Sequence, residues 1–393
     1  MKKEYKIALV VFIIILLGLL IYTVWSSLSP DEGTTEAPEE ETTLPTSLSP
    51  ETEKENTTPT GEEGIKDAES FEIKILSDES VSVFDFWPLR ETGEVYYIAN
   101  NGKIYAGKEG PDVEVSSQEI NALNKIEENS TGRKVLASFG DPNNPRWGVF
   151  DTVDGVWSPL PQNIKNASWG YDENKLIVQE EDAGNISLSE INLEKKPPVS
   201  KLILRGFNLK DVVMKQIFPE RILFIERSSP SYGGGVWELN TKTLTFNIIL
   251  APEFGIWVNI SKNGLYGYKT SFENRNFILS DSEFKNQNSP SFIALPTKCE
   301  STTSSTICFS PAGGEDENFP TDNYIKGGVL TIDSLFLFDH TNKKTSLLYL
   351  SEEFSSLIDA ENPRVDGKVI YFKNRYDKRL YSLRVPQDVF EKF

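Results

Sequence analysis

Apolar residues along this chain follow two patterns. From Ile7 to Trp25 they form one uninterrupted run, IALVVFIIILLGLLIYTVW, with no charge inside it. From Phe71 onward they come in short alternating runs, separated by turn signals such as Asn101-Gly102, Asn263-Gly264 and Asp366-Gly367. The first pattern predicts a single helix long enough to cross a bilayer core of roughly 30 Å. The second predicts β-strands joined by tight turns.

The strand-like runs repeat. The unit reads as a turn, an apolar strand, a short polar loop and a second strand. Its clearest copy is the last. Lys368 to Lys373 (KVIYFK) is followed by a turn at Tyr376-Asp377 and then by Arg379 to Leu383 (RLYSL), with a candidate first strand from Ile358 to Pro363. The same order recurs from Gly93, Gly132, Glu173, Glu220, Asn263 and Ser305, which makes seven units in all. Further runs follow several units, at 113–116, 199–204, 244–250 and 344–350. A short antiparallel meander cannot bury both faces alone, so the units must stack. The predicted fold is all-β, a seven-bladed β-propeller spanning 71–393. The last unit lacks a fourth strand, and Phe71 to Leu76 (FEIKIL) is a strand without a unit. Pairing the two would close the ring and remove a free sheet edge.

Charge places the two patterns relative to a membrane. Lys2, Lys3 and Lys6 precede the apolar run, and no lysine or arginine follows until Lys54. The positive-inside rule makes 1–6 a cytoplasmic tail, 7–25 a single-pass transmembrane helix, and the remainder extracytoplasmic. Residues 26–70 are rich in Thr, Glu, Pro and Ser, with thirteen acids against two lysines, a net of −11 of the chain's −19. Such a segment buries too little apolar surface to order itself, and it predicts a disordered acidic linker. The body is acidic as well and has no basic patch, which excludes a nucleic-acid partner.

The repeat resembles the β-propellers of the TolB type and of the N-terminal domains of prolyl-oligopeptidase-like enzymes. The whole plan also resembles a group of membrane-anchored bacterial proteins with one N-terminal helix, a low-complexity linker and a propeller. In that group a sixth-blade segment carries a Lys-Cys…Cys pair followed by a segment with Pro, Asp, Tyr and Gly. Here these are Lys298-Cys299, Cys308, and Pro320, Asp322, Tyr324 and Gly327. The tryptophan frequent after the first cysteine is replaced by Glu300-Ser301-Thr302. The resemblance implies a fold and a location, and no activity.

Candidate chemistry is sparse. Cys299 and Cys308 are the only cysteines, and they flank a polar hairpin tip. An oxidising compartment would join them as a disulfide; a redox switch or two free thiols are the alternatives, though redox pairs are usually closer. His340 is the only histidine and reads as an exposed turn residue. Without a second histidine or a G-x-S-x-G elbow, no catalytic triad and no histidine-based metal site is expected. Asp85, Asp151, Asp172 and Asp359 stand at strand or turn positions that could face the channel, but aspartate at turns is commonly a cap. Trp147 and Trp169 are expected to pack between blades, with a sugar-binding surface as the alternative. Binding is expected from loops on the rigid scaffold. The long insertion at 313–328 supplies Phe319, Asp322 and Tyr324, and the glycine-rich tip at 228–235 supplies Tyr232. The function predicted is a membrane-tethered scaffold that binds an envelope protein or glycan, with no cofactor, no metal and no catalysis. The alternative is an extracytoplasmic glycan- or peptide-acting enzyme using channel carboxylates.

Overall fold

The structure, a computed structural model, describes residues 71–195, 197–207, 209, 211–229, 231–311, 324 and 327–390. The chain divides into two units, Met1–Gly64 and Ile65–Phe393, and every described residue belongs to the second. Among the described residues no helix is long and apolar enough to cross a membrane. The apolar run at 7–25 and the linker at 26–70 lie outside them.

Seven antiparallel sheets follow one another along the chain. Blades 1 to 4 occupy 83–116, 123–159, 164–205 and 212–254, with four strands each in sequential order. Blade 5 (256–281) has three strands, and blade 6 (299–349) has four. Blade 7 takes three strands from 360–384 and its fourth from Glu72–Ile75, which pairs antiparallel with Leu380–Arg384. The closure expected from the orphan run at Phe71 to Leu76 is therefore present. Arg379 reinforces it by donating to the Ser77 carbonyl at 2.6 Å, and the Leu76 amide donates to the Leu380 carbonyl at 2.8 Å.

The second strand of each blade is its apolar centre: Lys134–Phe139, Lys175–Asp182 and Arg221–Glu226 each hold a block of fully buried residues. A flat blade buries those side chains only against its neighbours, so the core is distributed around the ring. There is one apolar cluster at each of the seven blade interfaces. Trp147 and Trp169 sit in the cluster between blades 2 and 3, as packing residues. The fit is tight at the turn of Gly132, which adopts φ +74°; a Cβ there would lie 2.0 Å from the Pro88 carbonyl oxygen of blade 1.

Blade 5 departs from the repeat. After Asn276–Asp281 the chain touches the open edge once, at Leu279 and Asn288. It then buries Phe284, Phe292 and Leu295 instead of forming a fourth strand.

The first strands of neighbouring blades touch one another and surround the axis. In every blade they run the same way. All connections between second and third strands, and all connections between blades, therefore lie on one face. The insertion in blade 6 opens on that face, here called the insertion face.

Candidate functional site

The axial channel is lined by the first strands, which carry charge in every blade except the fifth, where the strand is IWVNI, while the second strands carry aliphatics. Five of the seven contain a β-bulge: at Val83/Asp85, Leu123/Lys125, Ile164/Asn166, Gln216/Phe218 and Glu361/Arg364. A bulge breaks the two-residue alternation and re-aims a side chain. Here it does so at Asp85, Lys125, Asn166 and Arg364.

The side chains so placed stitch the ring together. Lys125 donates to the Ala167 carbonyl at 3.3 Å and pairs with Glu127 at 2.6 Å. Glu127 also accepts from the Ser168 hydroxyl at 2.6 Å. Asn166 donates to the Val212 carbonyl at 2.8 Å, and Lys215 to Asn259 Oδ1 at 3.1 Å and the Ile260 carbonyl at 2.5 Å. Lys373 closes the circuit on the Phe84 carbonyl at 2.9 Å. Across the axis, Glu128 of blade 2 pairs with Lys262 of blade 5 and, at 2.9 Å, with Arg364 of blade 7.

Burial is the dominant influence on two of the channel lysines, Lys215 and Lys262. It lowers Lys215 to about 8 although Glu127 and Glu300 oppose the shift. It holds Lys262 well below its ordinary value, and the Arg364 guanidinium adds repulsion in the same direction. Glu300, from the short first strand of blade 6 (Cys299–Ser301), acts electrostatically on both lysines. The residue is 9% exposed, and its carboxylate has no hydrogen-bond or ion-pair partner among the described residues; its oxygens are not among the buried atoms left without a partner, so they meet the solvent of the channel.

A second polar cluster is sealed between blades 6 and 7. Lys298 donates to Asp333 at 2.5 Å, Asp359 at 2.7 Å and the Thr331 hydroxyl at 2.8 Å, and all three charged groups are fully buried. Tyr324, from the insertion, donates its hydroxyl to Asp359 at 2.8 Å. Arg375 lies over the Tyr324 ring at 3.9 Å and donates to the Tyr324 carbonyl. Burial tends to raise Asp359, but the adjacent Lys298 ammonium and its hydrogen bonds hold it below the ordinary carboxylate value. The arrangement pins the root of the insertion to the scaffold.

The other predicted site residues are placed as follows. Tyr324 is buried within this cluster. Tyr232 is 59% exposed on the insertion face, beside Phe254 at 62%. They adjoin because Gly233 and Phe254 are register partners, and the tip is tied down by Ser228, which bonds the Glu253 carbonyl and the Ile256 amide. Phe319 and Asp322 lie outside the described residues. Cys299 and Cys308 are directly opposite each other and form a disulfide. Closing so short a loop is worth about 2–3 kcal/mol on a chain-entropy model. Asp151 and Asp172 cap turns, accepting from the amides of Val153 and Asn174, and Asp359 belongs to the buried cluster. Asp85 is the one of the four at the channel.

His340 is a correction. It is half-buried, not exposed: its ring stacks on Tyr266 at 3.7 Å, and Nε2 lies 2.8 Å from the Thr306 hydroxyl. Burial lowers its pKa to about 4, with Asp339 opposing. The folded state therefore favours the neutral ring. The resulting stability is complete above the unfolded value of 6.5 and is lost as pH falls toward 4. Denaturation midpoints measured across that interval should fall more steeply in the parent than in His340→Phe, which keeps the stack and removes the titration.

Apart from Asp85, the channel charges were not anticipated from the sequence. Their signal was there: runs such as LNKIEE at Leu123–Glu128, strand-like but charged, stand one turn ahead of several of the apolar strands. Among the described residues no three His, Cys, Asp or Glu side chains are grouped to hold a metal ion.

Solved structures similar to this chain include an oligogalacturonate lyase in complex with manganese, with a TM-score of 0.55 and 12% identity over 81% of this chain and 94% of that one. The β-propeller domain of the Trilobed protease from Pyrococcus furiosus matches with a TM-score of 0.50 and 10% identity over 79% of this chain and 95% of that one. The tricorn protease matches with a TM-score of 0.51 and 11% identity over 83% of this chain, which spans only 35% of that protein. The propeller resembles the TolB-like and prolyl-oligopeptidase type. At these identities the likeness is one of fold. The Pyrococcus domain is described as having an open velcro topology, whereas here Glu72–Ile75 closes the ring. No family model matches the chain, and no curated protein matches it by sequence.

Proposed function

We propose that the protein is a membrane-tethered, extracytoplasmic scaffold that binds a protein partner of the cell envelope on its insertion face. The observation that carries this reading is the exposed apolar set on that face. Tyr232 and Phe254 project from blade 4, Leu330 and Ile332 from beside the insertion, and Leu357 from the connection into blade 7. Exposed aromatic and aliphatic groups on a rigid support are what a docking surface needs. Tethering by residues 7–25 and export of the body rest on the lysine asymmetry and the disulfide.

Crosslinking the full-length chain in its native membrane, followed by pull-down, tests the reading. A chain ending at residue 70 serves as control. A partner that requires the propeller, and is lost in the double variant Tyr232→Ser/Phe254→Ser, is the expected result. Capture that is unchanged in the variant would count against this face.

The second reading is an extracytoplasmic glycan- or peptide-acting enzyme. It is favoured by Glu300, whose carboxylate has no partner among the described residues and acts electrostatically on Lys215. It predicts turnover of an envelope polymer that Glu300→Gln abolishes.

A further inference from the structure

Glu300 is unlike every other acid of the channel. Glu127 has Lys125 and Ser168, and Glu128 has Lys262 and Arg364. Asp85 accepts from the Phe86 amide at 2.9 Å. Glu300 has nothing among the described residues, yet it is nine-tenths buried. Its oxygens are not among the buried atoms left without a partner, so they face the solvent of the channel, where a ligand can reach them. Its environment then limits what can bind there. Lys215 and Lys262 act on it through space, and Arg364 shares the same field. Three cations disfavour a cationic ligand, and the carboxylate itself, with Glu127 and Glu128 nearby, disfavours an anionic one. Lys215 has three N–H donors, of which two are engaged, both by neutral oxygens. One donor and several acceptor sites are thus unfilled in a region whose charges otherwise balance.

We propose that the axial channel holds a small-molecule site centred on Glu300 and Lys215, and that its ligand is a neutral polyhydroxylated compound of the carbohydrate class. Adjacent hydroxyls donate to the carboxylate and accept from the ammonium without adding net charge. The site is independent of docking on the insertion face. It requires no bond making or breaking.

Saturation-transfer NMR on the full-length chain tests this. The probes are D-glucose, D-galactose and N-acetyl-D-glucosamine, with L-alanine and acetate as charged comparators. Transfer to at least one neutral sugar is expected, weakened roughly tenfold or more in Glu300→Ala, the scale of a lost hydrogen bond to a charged group. Lys215→Met should weaken the same signal. Glu300→Gln, the same shape without the charge, provides the folding control, and its unfolding midpoint should match the parent's, since the carboxylate oxygens already meet solvent. Absence of transfer to all three sugars would mean that solvent alone satisfies Glu300, and would overturn the proposal. Sugar binding unaffected by Glu300→Ala would overturn it too, as would Glu300-dependent binding of alanine or acetate in place of sugar.

Discussion

Replacing Lys298 with methionine lowers the stability of the propeller by about 3–5 kcal/mol, the usual consequence of breaking a buried ion cluster from one side. Lys298, Asp333 and Asp359 are all fully buried. Methionine fills a similar volume but leaves both carboxylates without their cation in a site closed to water. The Tyr324 hydroxyl and the Arg375 guanidinium still reach Asp359, at 2.8 and 3.3 Å, whereas Asp333 keeps only the Thr331 hydroxyl and the Ala360 amide. Burial already raises Asp333 against the pull of Lys298, so removing the lysine drives it toward the neutral acid. Denaturant unfolding at neutral pH measures the loss. The double replacement Lys298→Met/Asp333→Leu, which leaves Asp359 paired with Arg375, should recover much of it, because the penalty comes from uncompensated charge and not from the missing ion pair itself. Equal stability of parent and single variant would show that the cluster opens to water.

A chain that begins at Ser77 loses the closing strand, and this is expected to be the larger effect in function and solubility. Glu72–Ile75 covers the outer edge of blade 7 along the whole of Leu380–Arg384. Phe71 and Ile73 pack on the cluster between blades 6 and 7, and Leu76 is buried between blades 7 and 1. Loss of that packing and of the ladder bonds costs on the order of 5 kcal/mol. It also bares a long sheet edge, which invites pairing between molecules. Light scattering should show concentration-dependent association of the shortened chain. A synthetic peptide of residues 70–76 added in trans should reverse it, since the strand contributes by pairing and needs no covalent link. A shortened chain that stays monomeric with an unchanged unfolding midpoint would refute the account.

Both effects turn on residues that differ in how visible they are in the sequence. The closing strand is legible. FEIKIL alternates, it has no unit of its own, and the last repeat is one strand short. The second and third strands of all seven blades are legible for a similar reason: each second strand is buried on both faces between neighbours, so its apolar run is continuous. The facing cysteines follow from the symmetry of one hairpin.

Apart from the run at Ile358 to Pro363 in the last unit, the first strands are not legible as strands, and they make the channel. Their charged side chains point to the axis, and the bulges at Asp85, Lys125 and Arg364 break the alternation by which a strand is recognised. Lys298 resembles any surface lysine, because its partners stand 35 and 61 residues away. His340 reads as a turn residue until Tyr266, from another blade, lies against it. Local patterns record what a residue needs from its own strand. They hold no trace of what a neighbouring blade supplies. The sequence by itself therefore determined the repeat, its number, its closure and its disulfide, all of which follow from periodicity and nearby pairing. Only the tertiary structure decided which charges are buried, which are paired, and that the Glu300 carboxylate has no partner among the described residues. Those outcomes depend on distances across the ring, between residues that the chain order keeps apart.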